Sequence, residues 1–252
     1  MQTSSADVGL GSYRDNLAAL QGAQKPPRGT AAYSRHVNRP VARRVAAFLR
    51  QFGVTPNQAT AISATFSATG LVLLAVMRPS PLLGLVVAVL LAAGYVMDSV
   101  DGQLARLAGT GSLSGEMLDH TVDCVKTLTL HLAVLISFFR FPPIDSDAVL
   151  LIPLGFQVVD MISFFGLVTM PLLRKLHGAV APATPTQAPE HPLRRWILLP
   201  TDYGTFCWMF VLLGFPMLFL TAYTAMFIIN AAVLVPVLIK WSRELRGLDR
   251  RG

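Results

Sequence analysis

MDSVDGQLARLAGTGSLSGEMLDHTVD, residues 97–123, sets four aspartates, Asp98, Asp101, Asp119 and Asp123, among residues that are otherwise very apolar. Asp98 and Asp101 are three residues apart, and Asp119 and Asp123 are four apart, so each pair shares one face of a helix. The Gly- and Ser-containing segment 108–114 between them reads as a short link. Two antiparallel helices joined there bring the two acidic faces together. An Asp at the centre of a lipid-facing helix costs about 2.5–3.5 kcal/mol. Four acids so close therefore need an interfacial position, a cationic partner or a bound cation.

The surrounding chain makes that cost real. Of 252 residues, 53% are hydrophobic and only 14% are charged, and the mean hydropathy is +0.53. Soluble domains carry about 25% charged residues. The apolar runs are continuous rather than alternating, so the fold class is an all-α integral membrane protein and not a barrel. The net charge of +7 gathers at the chain ends and in one loop. That pattern fits membrane orientation and contact with a lipid bilayer carrying anionic headgroups, and it speaks against nucleic acid. No apolar signal segment is visible in the first 57 residues, and Cys124 and Cys207 both fall in apolar helical stretches.

Working outward, residues 1–32 are rich in Gly, Ala, Gln, Ser and Pro and are expected to be a disordered cytoplasmic arm. Residues 33–53 space Val41, Val45, Phe48, Leu49 and Phe52 at helical intervals among arginines, the pattern of an amphipathic juxtamembrane helix. Thr55, Pro56 and Asn57 break it and start the next helix. Residues 54–245 are expected to form a six-helix domain, and 246–252 a basic cytoplasmic tail. The expected spans are 58–77, 82–106, 115–139 and 148–173. Residues 204–239 carry no charge, which predicts two more spans with a turn near Thr221–Thr224. An even span count puts both termini on one side of the membrane. That side collects seventeen Lys and Arg residues, against Arg78 and Arg140 on the other. The termini and the acidic motif are therefore expected to face the cytoplasm, in a bacterial or archaeal cytoplasmic membrane.

Hard carboxylate donors with no accompanying Cys or His set favour Mg2+, Mn2+ or Ca2+ over zinc. Four carboxylates suffice for two such ions, and a two-metal clamp suits displacement at phosphorus. Gly102, Ala105 and Gly115 leave room beside the acids, and Arg106 is placed to reach a phosphate. Two other readings compete on the residues alone. One is a set of ion pairs with Lys126 or Arg106. The other is an ion-conducting or transport site, which needs polar residues through the whole membrane depth, whereas here most acids sit at one end.

The pattern Asp98-x2-Asp101-Gly102-x2-Ala105-Arg106-x8-Gly115-x3-Asp119-x3-Asp123 resembles the complete signature of the CDP-alcohol phosphotransferases. The resemblance implies transfer of a phospho-alcohol group from a CDP-alcohol, CDP-diacylglycerol first among them, to the hydroxyl of a polyol or phospho-polyol acceptor such as inositol phosphate or glycerol phosphate. CMP is released, in phospholipid biosynthesis. It further implies two divalent cations, Mg2+ or Mn2+, held by Asp98, Asp101, Asp119 and Asp123, with Asp123 as the catalytic base, and a homodimer. Gly102, Ala105, Arg106 and Gly115 would line the CDP-alcohol site. The segments SRHVNRP and TPN are similar to the inositol-handling branch, which includes enzymes using soluble CDP-inositol as donor. That similarity adds Arg35, Asn38, Arg39, Thr55, Pro56 and Asn57 at the nucleotide pocket.

An acceptor bearing phosphate needs further cations. Lys126, on the same helix as Asp123, and His191, Arg194 and Arg195 before the fifth span are the candidates. Asp160, near the centre of the fourth span, is a candidate for acceptor hydroxyls, with a local hydrogen-bonded pair as its alternative. Asp202 reads as the cap of the fifth span. His120 and His131 have no metal-ligand spacing and are assigned no role.

Overall fold

The computed structural model describes residues 11–22, 31–109, 111–177 and 199–249. Every regular element among them is helical: α1 (Tyr13–Gly22), a wide π-type turn (Ser34–Asn38), α2 (Arg39–Arg50), α3 (Pro56–Val76), α4 (Pro81–Ala108), α5 (Leu113–Arg140), α6 (Leu151–Leu176), α7 (Tyr203–Met209) and α8 (Pro216–Asp249). Short 3-10 turns precede α6 (Asp147–Leu150) and α7 (Leu199–Thr201), and another continues α7 (Phe210–Gly214). Five helices are long and apolar enough to cross a membrane: α3, α4, α5, α6 with its 3-10 turn, and α8. The chain is an integral membrane protein.

The sequence sets the helix ends. Thr55 and Gln58 form a capping box, each side chain bonding the other's backbone N–H, and Pro56 takes the first helical position of α3. Ser80 and Ser112 cap α4 and α5 through Leu83 N–H and Gly115 N–H. Gly109 ends α4 at φ 62°, a left-handed conformation that glycine adopts without penalty.

Two expectations are corrected. The arm 1–32 carries helix α1, because Leu20 is fully buried against α2 and α4 and the Asn16 amide donates to the Ala47 carbonyl. The turn within 204–239 lies at Gly214–Pro216 and not at Thr221–Thr224. Pro216 cannot continue the preceding helix because it has no N–H. Gly214 packs so tightly on the start of α4 that a Cβ there would stand 2.4 Å from the Pro81 nitrogen. Thr221 and Thr224 lie inside α8 and bond back to the Met217 and Leu220 carbonyls. The expected fifth span is therefore the shorter apolar helix Tyr203–Gly214. Its twelve residues rise about 18 Å, against the roughly 30 Å of a hydrocarbon core.

Helix α4 is the axis of the fold and packs against α2, α3 and α7. Small residues allow the close approach. At Gly94 the Ser63 hydroxyl donates to the carbonyl at 2.7 Å, and a Cβ would lie 2.4 Å from Ser67 Oγ. One apolar core joins α3–α8 through a set of rings that includes Phe156, Phe206, Phe210, Phe219 and Tyr223. A second lies under α1 and α2 against α4. Helices α6 and α8 run parallel, as the contacts Gly155–Phe227 and Gly166–Trp241 and the bidentate Arg174–Glu244 pair (2.6 and 2.9 Å) require.

Helix α2 divides its faces differently from the simple expectation. Ala42, Ala46 and Ala47 are buried against the protein, while Val41, Phe48 and Phe52 are exposed. Val41, Phe48 and Phe52 thus point away from the helix bundle, while Val45 and Leu49 pack against its buried cluster.

Candidate active site

Helices α4 and α5 meet at the link 109–112, which brings the two acidic faces together as their spacing predicts. Counted from Pro81, twenty residues reach Val100; counted back from Arg140, twenty reach Thr121. Twenty residues span about 30 Å, so the four acids lie at one edge of the apolar slab rather than in its middle.

Asp98, Asp119 and Asp123 each offer a carboxylate oxygen within 4.8 Å of the other two. Asp101 stands slightly apart: its two oxygens accept from the Thr60 hydroxyl at 2.7 Å and from Gly102 N–H at 2.5 Å. Lys126 is buried and bridges Asp98 and Asp123; its ammonium donates to Asp98 and, at 3.1 Å, to Asp123. The expected acceptor candidate is thus an ion-pair partner of the motif. Three converging carboxylates served by one lysine remain a net anionic cage of hard oxygens. Its donor chemistry fits a divalent cation such as Mg2+ or Mn2+.

A cavity of about 200 Å³ opens beside this cage, lined by Arg39, Asp98, Ser99, Asp101, Gly102, Gln103, Arg106 and Asp119. Gly102 keeps it open: a Cβ there would meet nothing nearer than Arg106 Nη1 at 3.6 Å. Neither Arg39 nor Arg106 makes an ion pair among the described residues, and Arg106 Nε is buried without a hydrogen-bond partner. Asn57 faces Gly115 across the mouth of α5, with Oδ1 3.6 Å from a Cβ position there. Thr55 and Pro56 build the start of α3 instead of lining the cavity. Ala105 contributes its carbonyl to the end of α4. His191, Arg194 and Arg195 lie outside the described residues, as does the loop 178–193.

Asp160 lies deeper. Its Oδ2 is 2.9 Å from His131 Nε2, and His131 Nδ1 is 2.6 Å from the Tyr223 hydroxyl. All three groups are satisfied when Nε2–H donates to Asp160 and Nδ1 accepts from Tyr223. The hydrogen-bonded alternative for Asp160 is thus realised, through a histidine that spacing rules alone pass over. Sequence reading also missed Ser99 and Gln103, which face the cavity from positions the signature leaves free, and Thr60, which orients Asp101. Asn38 and Arg39 had only the short SRHVNRP similarity to mark them.

A sequence model of the CDP-alcohol phosphatidyltransferase family matches residues 53–238. Comparison with the curated proteins gives no significant match.

Proposed function

Because the chain belongs to the CDP-alcohol phosphatidyltransferase family, we propose that it moves a phospho-alcohol group from a CDP-alcohol, CDP-diacylglycerol first, to the hydroxyl of a polyol or phospho-polyol and releases CMP. The observation that carries this reading is the pairing of an anionic cage with two unpaired guanidiniums at one cavity. The acids suit cations, the guanidiniums suit phosphate, and a nucleoside diphosphate ester needs both.

The acceptor hydroxyl attacks the β-phosphorus. A new P–O bond forms there, the bridge to the α-phosphorus breaks, and CMP leaves with the bridging oxygen. The hydroxyl proton passes to Asp123, whose carboxylate Lys126 holds in place at 3.1 Å. Asp98, Asp101, Asp119 and Asp123 would hold Mg2+ or Mn2+, which when bound neutralises the pyrophosphate oxygens. Arg106, with Gly102 and Gly115 giving clearance, binds and orients the donor. Asp160, with one oxygen free of His131, is the candidate for acceptor hydroxyls.

The bias of Lys and Arg toward the chain ends and the loop after α6 supports an orientation with the site and both chain ends in the cytoplasm, where soluble CMP and polyols reside. The exposed Val41 and Phe48 of α2, with Phe52 just beyond its end, support an interfacial seat for that helix. The short helix Tyr203–Gly214, with the turn Leu199–Thr201 before it, supports a fifth of six crossings, and the exposed faces of the long helices suit a second copy of the chain.

The test is CMP release by the purified protein in detergent, with Mg2+, Mn2+ or chelator, across a matrix of CDP-diacylglycerol and CDP-inositol against glycerol phosphate, inositol phosphate and inositol. Metal-dependent CMP release with one donor–acceptor pair is expected. No CMP from any pair removes the enzyme reading and leaves a membrane ion-binding protein.

A further inference from the structure

We propose that Asp202 is a positioning residue that holds Arg39 in the acid-lined cavity, acting through the turn Ser34–Asn38, so that Arg39 and Arg106 grip the donor's phosphates together. The proposal rests on that cavity being the CDP-alcohol site.

Asp202 is buried, and its two carboxylate oxygens serve two chain segments distant in sequence. One accepts Gly204 N–H at 2.9 Å and caps α7. The other accepts Ser34 N–H at 2.9 Å and anchors the start of the π-type turn. Charge-assisted bonds of this kind are about twice as strong as neutral ones. Neighbours reinforce the clamp. Trp208 Nε1–H donates to the Tyr33 hydroxyl at 2.9 Å, and Tyr95 O–H donates to Ser34 Oγ at 3.2 Å. The Tyr33 ring occupies the space over Gly204, where a Cβ would stand 2.1 Å from it.

The far end of the turn is fixed to α4. Asn38 is fully buried, and its amide donates to Ser99 Oγ at 2.6 Å. The next residue is Arg39, which lines the cavity with Ser99 and Arg106. Single π-type turns of this kind gather at functional sites. Arg39 and Arg106 are close enough to repel each other, and neither forms an ion pair among the described residues, although the Asp101 carboxylate attracts Arg106 from a distance. Two unpaired guanidiniums held side by side call for an anion with more than one charge. A pyrophosphate ester is that anion.

The experiment titrates CDP and CMP into the full-length protein in detergent by calorimetry and records thermal midpoints and steady-state kinetics for the same samples. Arg39→Gln should weaken CDP about tenfold or more, the loss of one charge-assisted contact, and raise the donor KM with a smaller change in kcat. Asp202→Ala should weaken CDP similarly. The double variant should be no weaker than the worse single one, because Asp202 acts through Arg39. Asp202→Asn, which keeps one acceptor oxygen, should fall between. Asn38→Ala loosens the other end of the turn while leaving Asp202 intact, and it carries the same expectation should Asp202→Ala not fold. Unchanged CDP affinity in the folded Asp202 or Asn38 variants, or additive losses in the double variant, overturns the proposal. Wild-type protein that binds no CDP and releases no CMP overturns the functional reading instead, so the two failures are distinct.

Discussion

Lys126 bridges Asp98 on α4 and Asp123 on its own helix, so the one buried ammonium of α5 binds the two halves of the acidic motif together. Breaking a buried pair leaves uncompensated charge and costs about 3–5 kcal/mol. Here a bound divalent cation would take over the same carboxylates. Lys126→Gln should therefore lower the melting midpoint strongly in chelator and much less with millimolar Mg2+ or Mn2+. Thermal melts in detergent with and without metal check this. Equal losses in both conditions would show that the acids hold no cation.

Asp123→Asn keeps the shape of the side chain and removes its capacity to take a proton. CMP release should fall by about two to four orders of magnitude, the usual worth of a general base. CDP binding should persist, because Arg106 and Arg39 are untouched. Single-turnover CMP formation and CDP titration separate the two. Near-normal turnover would assign the base elsewhere.

The Asp160–His131–Tyr223 chain offers a contrast between support and recognition. His131 is buried among Phe156, Phe206 and Tyr223, so His131→Phe strands the buried Tyr223 hydroxyl and removes the partner of the partly exposed Asp160 carboxylate. It should cost about 1–3 kcal/mol of stability. Asp160→Asn can still accept from His131 Nε2–H and should fold. If Asp160 reads acceptor hydroxyls, that variant raises the acceptor KM and leaves the donor KM alone. A change in neither constant would confine Asp160 to the hydrogen-bonded chain.

How much of this was legible beforehand follows from the range of each interaction. The acidic motif was readable because its helical spacing and its cost in lipid are local properties of residues 97–123. The metal-competent grouping of Asp98, Asp119 and Asp123 follows from them once α4 and α5 fold back on each other. The turn at Gly214–Pro216 was misplaced because residues 204–239 were divided by length alone. The decisive signal was Pro216, and its effect depends on Gly214 meeting Pro81 across the fold. Helix α1 escaped notice since its stability comes from burying Leu20 under α2 and not from its own composition. The second bond of Asp202 spans 168 residues, and no local pattern announces such a partner.

Two glycines of α4 separate packing from function. At Gly94 a Cβ would stand 2.4 Å from Ser67 Oγ and 3.2 Å from the Ser63 carbonyl, so α3 and α4 must part to admit it. Gly94→Ala should destabilise by about 1–3 kcal/mol, the usual cost of overpacking, with the donor KM of the surviving folded protein little changed. At Gly102 the nearest atom is the flexible end of Arg106, 3.6 Å away. Gly102→Ala removes a glycine from a helix interior and should hold or slightly raise the melting midpoint. It also narrows the cavity that Gly102 lines, and the donor KM should rise about tenfold as the ester is kept from the backbone. Melting curves and donor saturation curves on both variants test the pair. A Gly102→Ala protein with unaltered donor kinetics would show that the ester does not approach α4 at this turn, and would move the donor toward the α5 side of the cavity.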